Sequence, residues 1–139
     1  MDSGATDHIT SELEKLTVRD KYRGGDQVHV ANGSGMKISH VGHSIVQSPT
    51  RDLHLNNILH VPSASKNLVS VHQLTRDNNA FVEFHPDNFF IKGATTKRTL
   101  LRGRCNGGLY PLVPHQLARC GINRLSVLSS HQRLCGIAA

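Results

Sequence analysis

The chain has 139 residues, of which 37% are hydrophobic and 19% charged, which is enough for one compact domain and too little for two. No stretch approaches the roughly 18 apolar residues of a membrane-spanning helix, and the first residues lack the basic and apolar regions of a secretory signal. We therefore expect a soluble, intracellular, cytoplasmic protein without membrane contact. Three cysteines make a disulfide framework unexpected, and aromatics at 4% argue against a platform for stacking bases.

Charge is distributed unevenly along the chain. Residues 1–87 contain all ten acidic residues and eight Lys and Arg, a net charge of −2, whereas residues 88–139 contain eight Lys and Arg and no acid. A basic segment binds phosphates in a salt-dependent way, so weak nucleic-acid contact by the basic tail is one hypothesis. An ordinary solvated tail is the alternative.

The first half of the chain predicts short strands. Residues 27–31 alternate apolar and polar side chains and run into Asn32-Gly33, a strong hairpin signal because both positions accept positive φ. Residues 36–46 continue as a strand with a break at Gly42, and residues 52–61 alternate until Pro62 ends the pattern.

The apolar period changes in the second half. Leu68, Val71 and Leu74 recur at three-residue intervals, which predicts one short helix over about residues 68–77. Strands are predicted again over residues 80–85, 89–92, 99–101 and 109–113, each bounded by turn residues. The pattern predicts an all-β barrel with one helix over residues 1–113. Residues 114–139 are then a basic linker or the start of a following segment.

One short motif, Asp2-Ser3-Gly4, suggests chemistry. Two carboxylates about 3 Å apart do not both ionise, so one acts as a base towards an attacking water while its protonated partner donates to a peptide carbonyl. Asp2 is the candidate carboxylate. Ser3 offers a small hydroxyl that can fix the carboxylate, and Gly4, without a Cβ, lets backbone and substrate approach. The triplet alone is weak evidence for this activity.

Five motifs in order make a more specific pattern. They are DSGATDHIT at residues 2–10, VHVANG at 28–33, LNNILHVP at 55–62, KNLVSV at 66–71 and GLYPL at 108–112. In order and spacing they resemble the protease segment of copia-type LTR retrotransposon Gag-Pol polyproteins, over about residues 2–113.

The resemblance implies a retropepsin-like aspartic endopeptidase, a closed β-barrel that processes its own polyprotein and is active only as a homodimer. Asp2 would be catalytic, and Ser3, Gly4, Ala5 and Thr6 would complete the active-site loop. Ala31, Asn32, Gly33, Ser34 and Gly35 would form a flap over the peptide substrate, and Asn67, Leu68, Val69 and Ser70 would support the loop from below. The resemblance implies no cofactor, and virus-like particles as the location if the element is active.

The sequence also departs from that family. An apolar strand usually leads into the catalytic Asp, whereas only Met1 precedes Asp2 here, so the domain is expected to be N-terminally truncated and impaired in dimerisation. Two alternatives to an active enzyme stay open: a non-catalytic β-barrel interaction module or relic, and a basic nucleic-acid-binding fragment.

Metal binding is not expected. Residues 130–134, SHQRL, resemble the opening of a zinc-binding pre-integrase segment, but Cys135 and Gly136 stand where a Gly and the second His belong. Ten histidines are spread along the chain. His40, His43, His54 and His60 occupy strand positions that do not converge, so we expect solvated side chains and no metal ligands.

Overall fold

A computed structural model describes residues 1–112, and the predicted tail, residues 114–139, lies outside the described residues. The described chain is built from nine strands and one α-helix, with a single-turn 3-10 helix at Leu13–Lys15. The elements are β1 (Ile9–Thr10), β2 (Val18–Lys21), β3 (Gln27–His29), β4 (Gly35–Lys37), β5 (His40–Val46), β6 (Leu53–His60), α1 (Val71–Asn78), β7 (Ala80–Phe84), β8 (Asn88–Gly93) and β9 (Thr99–Arg104). None of the helices in this part of the chain is long and apolar enough to cross a membrane.

A four-stranded sheet carries the candidate site. Its order is β1-β6-β5-β2, with β1 parallel to β6 and the other pairs antiparallel. Gly42 was predicted to break the strand but lies inside β5, where an added Cβ would be 2.4 Å from the backbone oxygen of Val18. Glycine is therefore required by the close approach of β2, and the actual break falls at Ile38 and Ser39.

A β-bulge in β6 changes which side chains face the core. Before it, Leu53 and Leu55 are buried; after it, Ile58 and His60 are. The pairing with β5 shifts between Gly42 and Ser44, and Asn57 takes a positive φ of 52° there. Because of the extra residue, the side chains that face the core are at odd positions before the bulge and at even positions after it.

Residues 71–104 form a helix and a three-stranded antiparallel sheet, β7-β8-β9. Ser70 caps α1 by accepting a hydrogen bond from the Gln73 N–H at 3.2 Å, and Asn79 ends the helix in the left-handed region. The Asn78 side chain binds both the N–H and the carbonyl of His54 at 2.7 and 2.8 Å, which fixes the helix against β6.

Two apolar clusters make up the core of residues 1–112. The larger one contains fourteen buried residues: Met1, Leu16, Val46, Leu53, Leu55, Ile58, Val69, Leu74, Ala80, Phe89, Ile91, Leu100, Leu101 and Leu112. The smaller one lies behind the Asp2 loop and contains Ala5, Ile9, Ile38, Val61, Ala64 and Leu68. The motif residues 2–10 and 66–71 therefore contribute to the packing as well as to the candidate site.

The expected all-β architecture with one short helix is present in residues 1–112. The hydrogen-bonded strands of this region form three separate sheets, none of which closes on itself, so the closed barrel stays a prediction. The predicted helix boundary was wrong: α1 begins at Val71, because Leu68 and Val69 are extended and pair with Ile9 and Asp2. The predicted strand over residues 109–113 is also wrong in its described part, where a single bridge joins Asn106 and Leu109.

Candidate functional site

Asp2 is held at the point where the N-terminal segment meets the start of α1. Its N–H donates to the Val69 carbonyl at 2.9 Å, and its carbonyl accepts from the Val71 N–H at 3.1 Å. These two bonds form a parallel bridge between Asp2 and Ser70. The backbone of the candidate catalytic residue is therefore fixed on a rigid element.

The Asp2 carboxylate is oriented by its own loop. Oδ1 accepts a hydrogen bond from the Gly4 N–H at 2.7 Å, and the side chain is half-buried. Among the described residues, Oδ2 has no hydrogen-bond partner. One oxygen is thus fixed while the other is available to a substrate, a water or a second carboxylate.

Ser70 supports the loop from beneath. The buried Ser70 hydroxyl donates to the Ala5 carbonyl at 2.7 Å while accepting the helix-capping N–H of Gln73. One side chain therefore joins the loop to the helix start. The role of the Asn67–Ser70 segment as a support of an active-site loop stays a prediction, and Ser3, Gly4 and Thr6 are exposed.

His8 is a buried member of this network that the sequence analysis left without a role. Its Nδ1 accepts the Ser70 N–H at 3.1 Å, so the neutral ring carries its proton on Nε2, which has no hydrogen-bond partner within residues 1–112. Burial lowers the pKa of His8 to about 4, although Asp77 and Asp7 oppose the shift. No sequence signal distinguishes His8 from an exposed histidine, because its burial depends on the pairing of Ile9 with Leu68.

Asn67 connects the support segment to the end of β1. Its Oδ1 accepts from the Thr10 hydroxyl at 3.1 Å and from the Ser11 N–H at 3.0 Å, and its Nδ2 donates to Glu12 Oε1 at 3.2 Å. Together with the paired backbones of Ile9 and Leu68, these bonds hold residues 67–70 against the segment that follows the Asp2 loop.

The predicted flap is a hairpin of β3 and β4, and its tip is a three-residue loop. The Val30 N–H donates to the Ser34 carbonyl at 3.1 Å, so Ala31, Asn32 and Gly33 form the loop. Of the Asn32-Gly33 pair only Gly33 takes positive φ, 84°. A three-residue loop with Gly at the left-handed position is the next common hairpin connection. Ala31 to Gly35 are all exposed.

A cavity of about 370 Å³ separates the Asp2 loop from this hairpin. Its apolar walls come from the smaller core, and polar side chains stand at its edge. It is lined by Ala5, Thr6, Asp7, Ile9, Tyr22, Asp26, Gln27, Val28, His29, Ile38, Leu59 and Leu68. The base of the hairpin, not its tip, therefore lines the cavity, and Asp2 is not among the lining residues. The Tyr22 hydroxyl donates to Asp26 at 2.6 Å, which raises the pKa of Tyr22.

One of the four strand histidines that were expected to be solvated is buried. His60 is buried and its Nδ1 lies 3.3 Å from His40 Nδ1, because the register of β5 and β6 places the two residues opposite each other. Burial lowers the pKa of His60. Within residues 1–112, no group of three or more His, Cys, Asp and Glu side chains is arranged to hold a metal ion.

Comparison with known proteins identifies the lineage. The chain is 46% identical over 110 residues to the retrovirus-related Pol polyprotein from transposon RE1 of Arabidopsis thaliana, and 43% identical over 110 residues to that from transposon RE2 of the same plant. Each alignment covers 79% of this chain and 8% of the relative, so the chain spans less than a tenth of these polyproteins. No solved structure matches. Residues 1–80 match the family described as Pol polyprotein, beta-barrel domain, and the chain belongs to that family.

Proposed function

We propose that this chain is the aspartic endopeptidase domain of a retrotransposon Pol polyprotein, folded as a retropepsin-like barrel and active only when two copies pair. The observation that carries the proposal is the position of Asp2: its backbone is bridged to Ser70, and its Oδ1 is fixed by the Gly4 N–H at 2.7 Å. A carboxylate held in this way has one defined orientation towards a partner.

The second carboxylate comes from a second copy of the chain. One aspartate cannot be base and acid at once, whereas two Asp2 side chains facing each other share a proton and divide the roles. The ionised carboxylate removes a proton from the attacking water, and the protonated one donates to the peptide carbonyl oxygen as it becomes tetrahedral. The hydroxyl of Ser3, exposed in one chain, is available to contact the paired loop.

The substrate is an extended segment of polyprotein. The cavity between the Asp2 loop and the β3–β4 hairpin has apolar walls that include Ile9, Val28 and Ile38, suited to an apolar side chain of such a segment. The exposed tip at Ala31 to Gly35 is placed to move over a bound peptide as a lid. Cleavage takes place where the polyprotein is made, in the cytoplasm or in particles assembled there.

Cleavage by the purified full chain tests the proposal. The chain is incubated with an unstructured stretch of Pol polyprotein, and products are identified by mass spectrometry over a pH series. We expect cleavage at defined sites by the wild type and a loss of at least about 100-fold in Asp2→Asn, because the amide cannot act as the base.

Asp20→Asn is the matched control, since Asp20 is an exposed carboxylate on β2. It should cleave like the wild type. Cleavage that persists in Asp2→Asn would overturn the catalytic assignment. A monomer that binds polyprotein segments without cleaving them at any concentration would favour the interaction module instead.

A further inference from the structure

The outer face of the β7-β8-β9 sheet combines aromatic rings and cations. All four Phe residues of the chain lie in β7 and β8. Phe89 faces the larger core, as does Ile91, so the alternate residues of β8 face outwards. The register places Phe81 opposite Lys92, Phe90 between Glu83 and Arg102, and Asn88 opposite Arg104.

The two outward rings are partly exposed and each has a lysine ammonium over its face. Lys97 Nζ lies 5.1 Å from the centroid of Phe81, and Lys92 Nζ lies 5.5 Å from that of Phe90. The imidazole of His85 meets Phe90 edge to face at 5.6 Å. The face therefore presents two partly exposed rings, each paired with a lysine that a stacking base would displace.

Acidic groups neutralise little of this charge. Glu83 is the carboxylate on the face, and it binds Lys92 at 2.7 Å. Arg102 and Arg104 are exposed and form no ion pair within residues 1–112. Residues 80–112 carry five Lys and Arg against two acids, whereas residues 1–79 carry eight of each. The excess positive charge of the described chain is thus concentrated in this sheet and its turns.

We propose that this face binds single-stranded nucleic acid, with bases stacked on Phe90 and Phe81 and phosphates contacted by Arg102, Arg104 and Lys97. Aromatic side chains on a sheet bind unpaired bases because every base has a flat face, and the surrounding cations attract the backbone. A duplex keeps its bases stacked on one another, so it fits this face poorly. The low aromatic content of the whole chain had argued against such a platform, but the rings are concentrated in one hairpin. This binding site is separate from the Asp2 loop and does not depend on the proposed endopeptidase activity.

Fluorescence anisotropy with the full chain and a labelled oligonucleotide of about 15 nucleotides tests the proposal. RNA and DNA strands of the same sequence are compared, and the matching duplex is used as a competitor, at about 50 and about 200 mM salt. We expect both single strands to bind, the duplex to compete weakly, and the ratio between RNA and DNA to report which sugar is preferred.

Two sets of variants separate charge from stacking. The double variant Arg102→Gln, Arg104→Gln should weaken binding by about tenfold at low salt and reduce the slope of log affinity against log salt by about 1.4, because two phosphate contacts are lost. Phe90→Leu keeps an apolar cover but lacks a ring, and should weaken binding at least about fivefold with the salt slope unchanged. Both arginines are exposed, so their replacement tests the face even if Phe90→Leu unfolds.

The controls locate the site. The double variant Arg19→Gln, Lys21→Gln removes two exposed cations from β2 and should bind like the wild type. Binding that is insensitive to the Arg102 and Arg104 changes, but is lost when Arg119, Arg124 and Arg133 are replaced by Gln, would overturn the proposal in favour of the tail. Equal affinity for duplex and single strand would also overturn it, because stacking would then contribute nothing.

Discussion

At the scale of single residues, two buried polar side chains position the candidate carboxylate. Ser70 joins the carbonyl of Ala5 to the N–H of Gln73, and His8 accepts the N–H of Ser70. Each bond satisfies a backbone group that burial has removed from water, and such a group costs about 1–3 kcal/mol when it is left without a partner. The geometry of the Asp2 loop therefore depends on side chains that do not take part in the proposed chemistry.

His8 makes stability depend on pH. In the folded chain the pKa of His8 is lowered to about 4 from an ordinary value of 6.5. Below pH 6.5 the His8 side chain is protonated in the unfolded chain but stays neutral in the folded chain. The free energy of unfolding therefore falls as the pH decreases from 6.5 to about 4, and the contribution of His8 is constant below that. The full difference corresponds to about 3 kcal/mol. Urea unfolding at pH 7 and pH 4.5 measures the loss.

The variant His8→Asn isolates this effect. Its Oδ1 can accept the Ser70 N–H where Nδ1 did, but it does not ionise. Any stability that the variant loses through poorer packing is the same at both pH values. The decrease in the free energy of unfolding between pH 7 and pH 4.5 should therefore be smaller in His8→Asn than in the wild type. His72→Asn, at an exposed position on α1, should leave that fall unchanged. An identical fall in His8→Asn and the wild type would show that His8 is not the group responsible.

At the scale of elements, the bulge in β6 changes which core each of its side chains faces. Leu53, Leu55 and Ile58 belong to the larger core, whereas Leu59 packs against the smaller one, which lies behind the Asp2 loop. Without the extra residue at Asn57, the alternation of side chains would continue unchanged and Ile58 would face away from the larger core.

Substitution of Asn57 tests this role of the bulge. The residue is exposed and has φ at 52°, a region that Asn and Gly enter more easily than Ala. Asn57→Ala should lower the free energy of unfolding by about 1 kcal/mol, and Asn57→Gly should lower it by much less. Denaturant unfolding compares the three chains. Equal losses in both variants would point to the side chain of Asn57 rather than to its backbone.

The sequence predicted elements well where local pattern determines them. The β7 and β8 strands, the central part of β6 and the hairpin near Asn32 follow from alternation and turn residues. It missed β1 and β2: β1 is two residues long and held by parallel pairing with the distant Leu59, and all four residues of β2 are exposed, which leaves no apolar alternation.

Several features of the site could not be predicted from the sequence. Backbone hydrogen bonds join Leu68 to Ile9 and Val69 to Asp2, and the supporting role of residues 67–70 stays a prediction from the resemblance. The burial of His8 and the contact between His40 and His60 arise from pairing between separate segments of the chain. Single-sequence periodicity contains no information about such pairings, because it reports which face a side chain is on and not what lies opposite.

At the scale of the whole molecule, each chain supplies one Asp2, so the proposed chemistry requires two chains. Two-fold symmetry would bring the Asp2 loop of each copy to the axis. The two carboxylates would then be the Asp2 side chains of the two copies. Activity should then follow the concentration of dimer. Below the dissociation constant, activity per chain should rise in proportion to chain concentration, whereas a self-sufficient monomer would have a constant activity per chain.

Mixing the wild type with Asp2→Asn at a fixed total concentration distinguishes a dimer with a shared pair of carboxylates from a monomer that acts alone. With equal amounts and free exchange, about a quarter of the dimers contain two wild-type chains, about half contain one, and a dimer with a single carboxylate lacks the acid and base pair. Cleavage should fall to about a quarter of that of the wild type at the same total concentration. A fall to only a half would mean that each chain acts alone, and would contradict a shared dyad. Equal mixing with Asp20→Asn should leave cleavage unchanged, because both partners then keep Asp2.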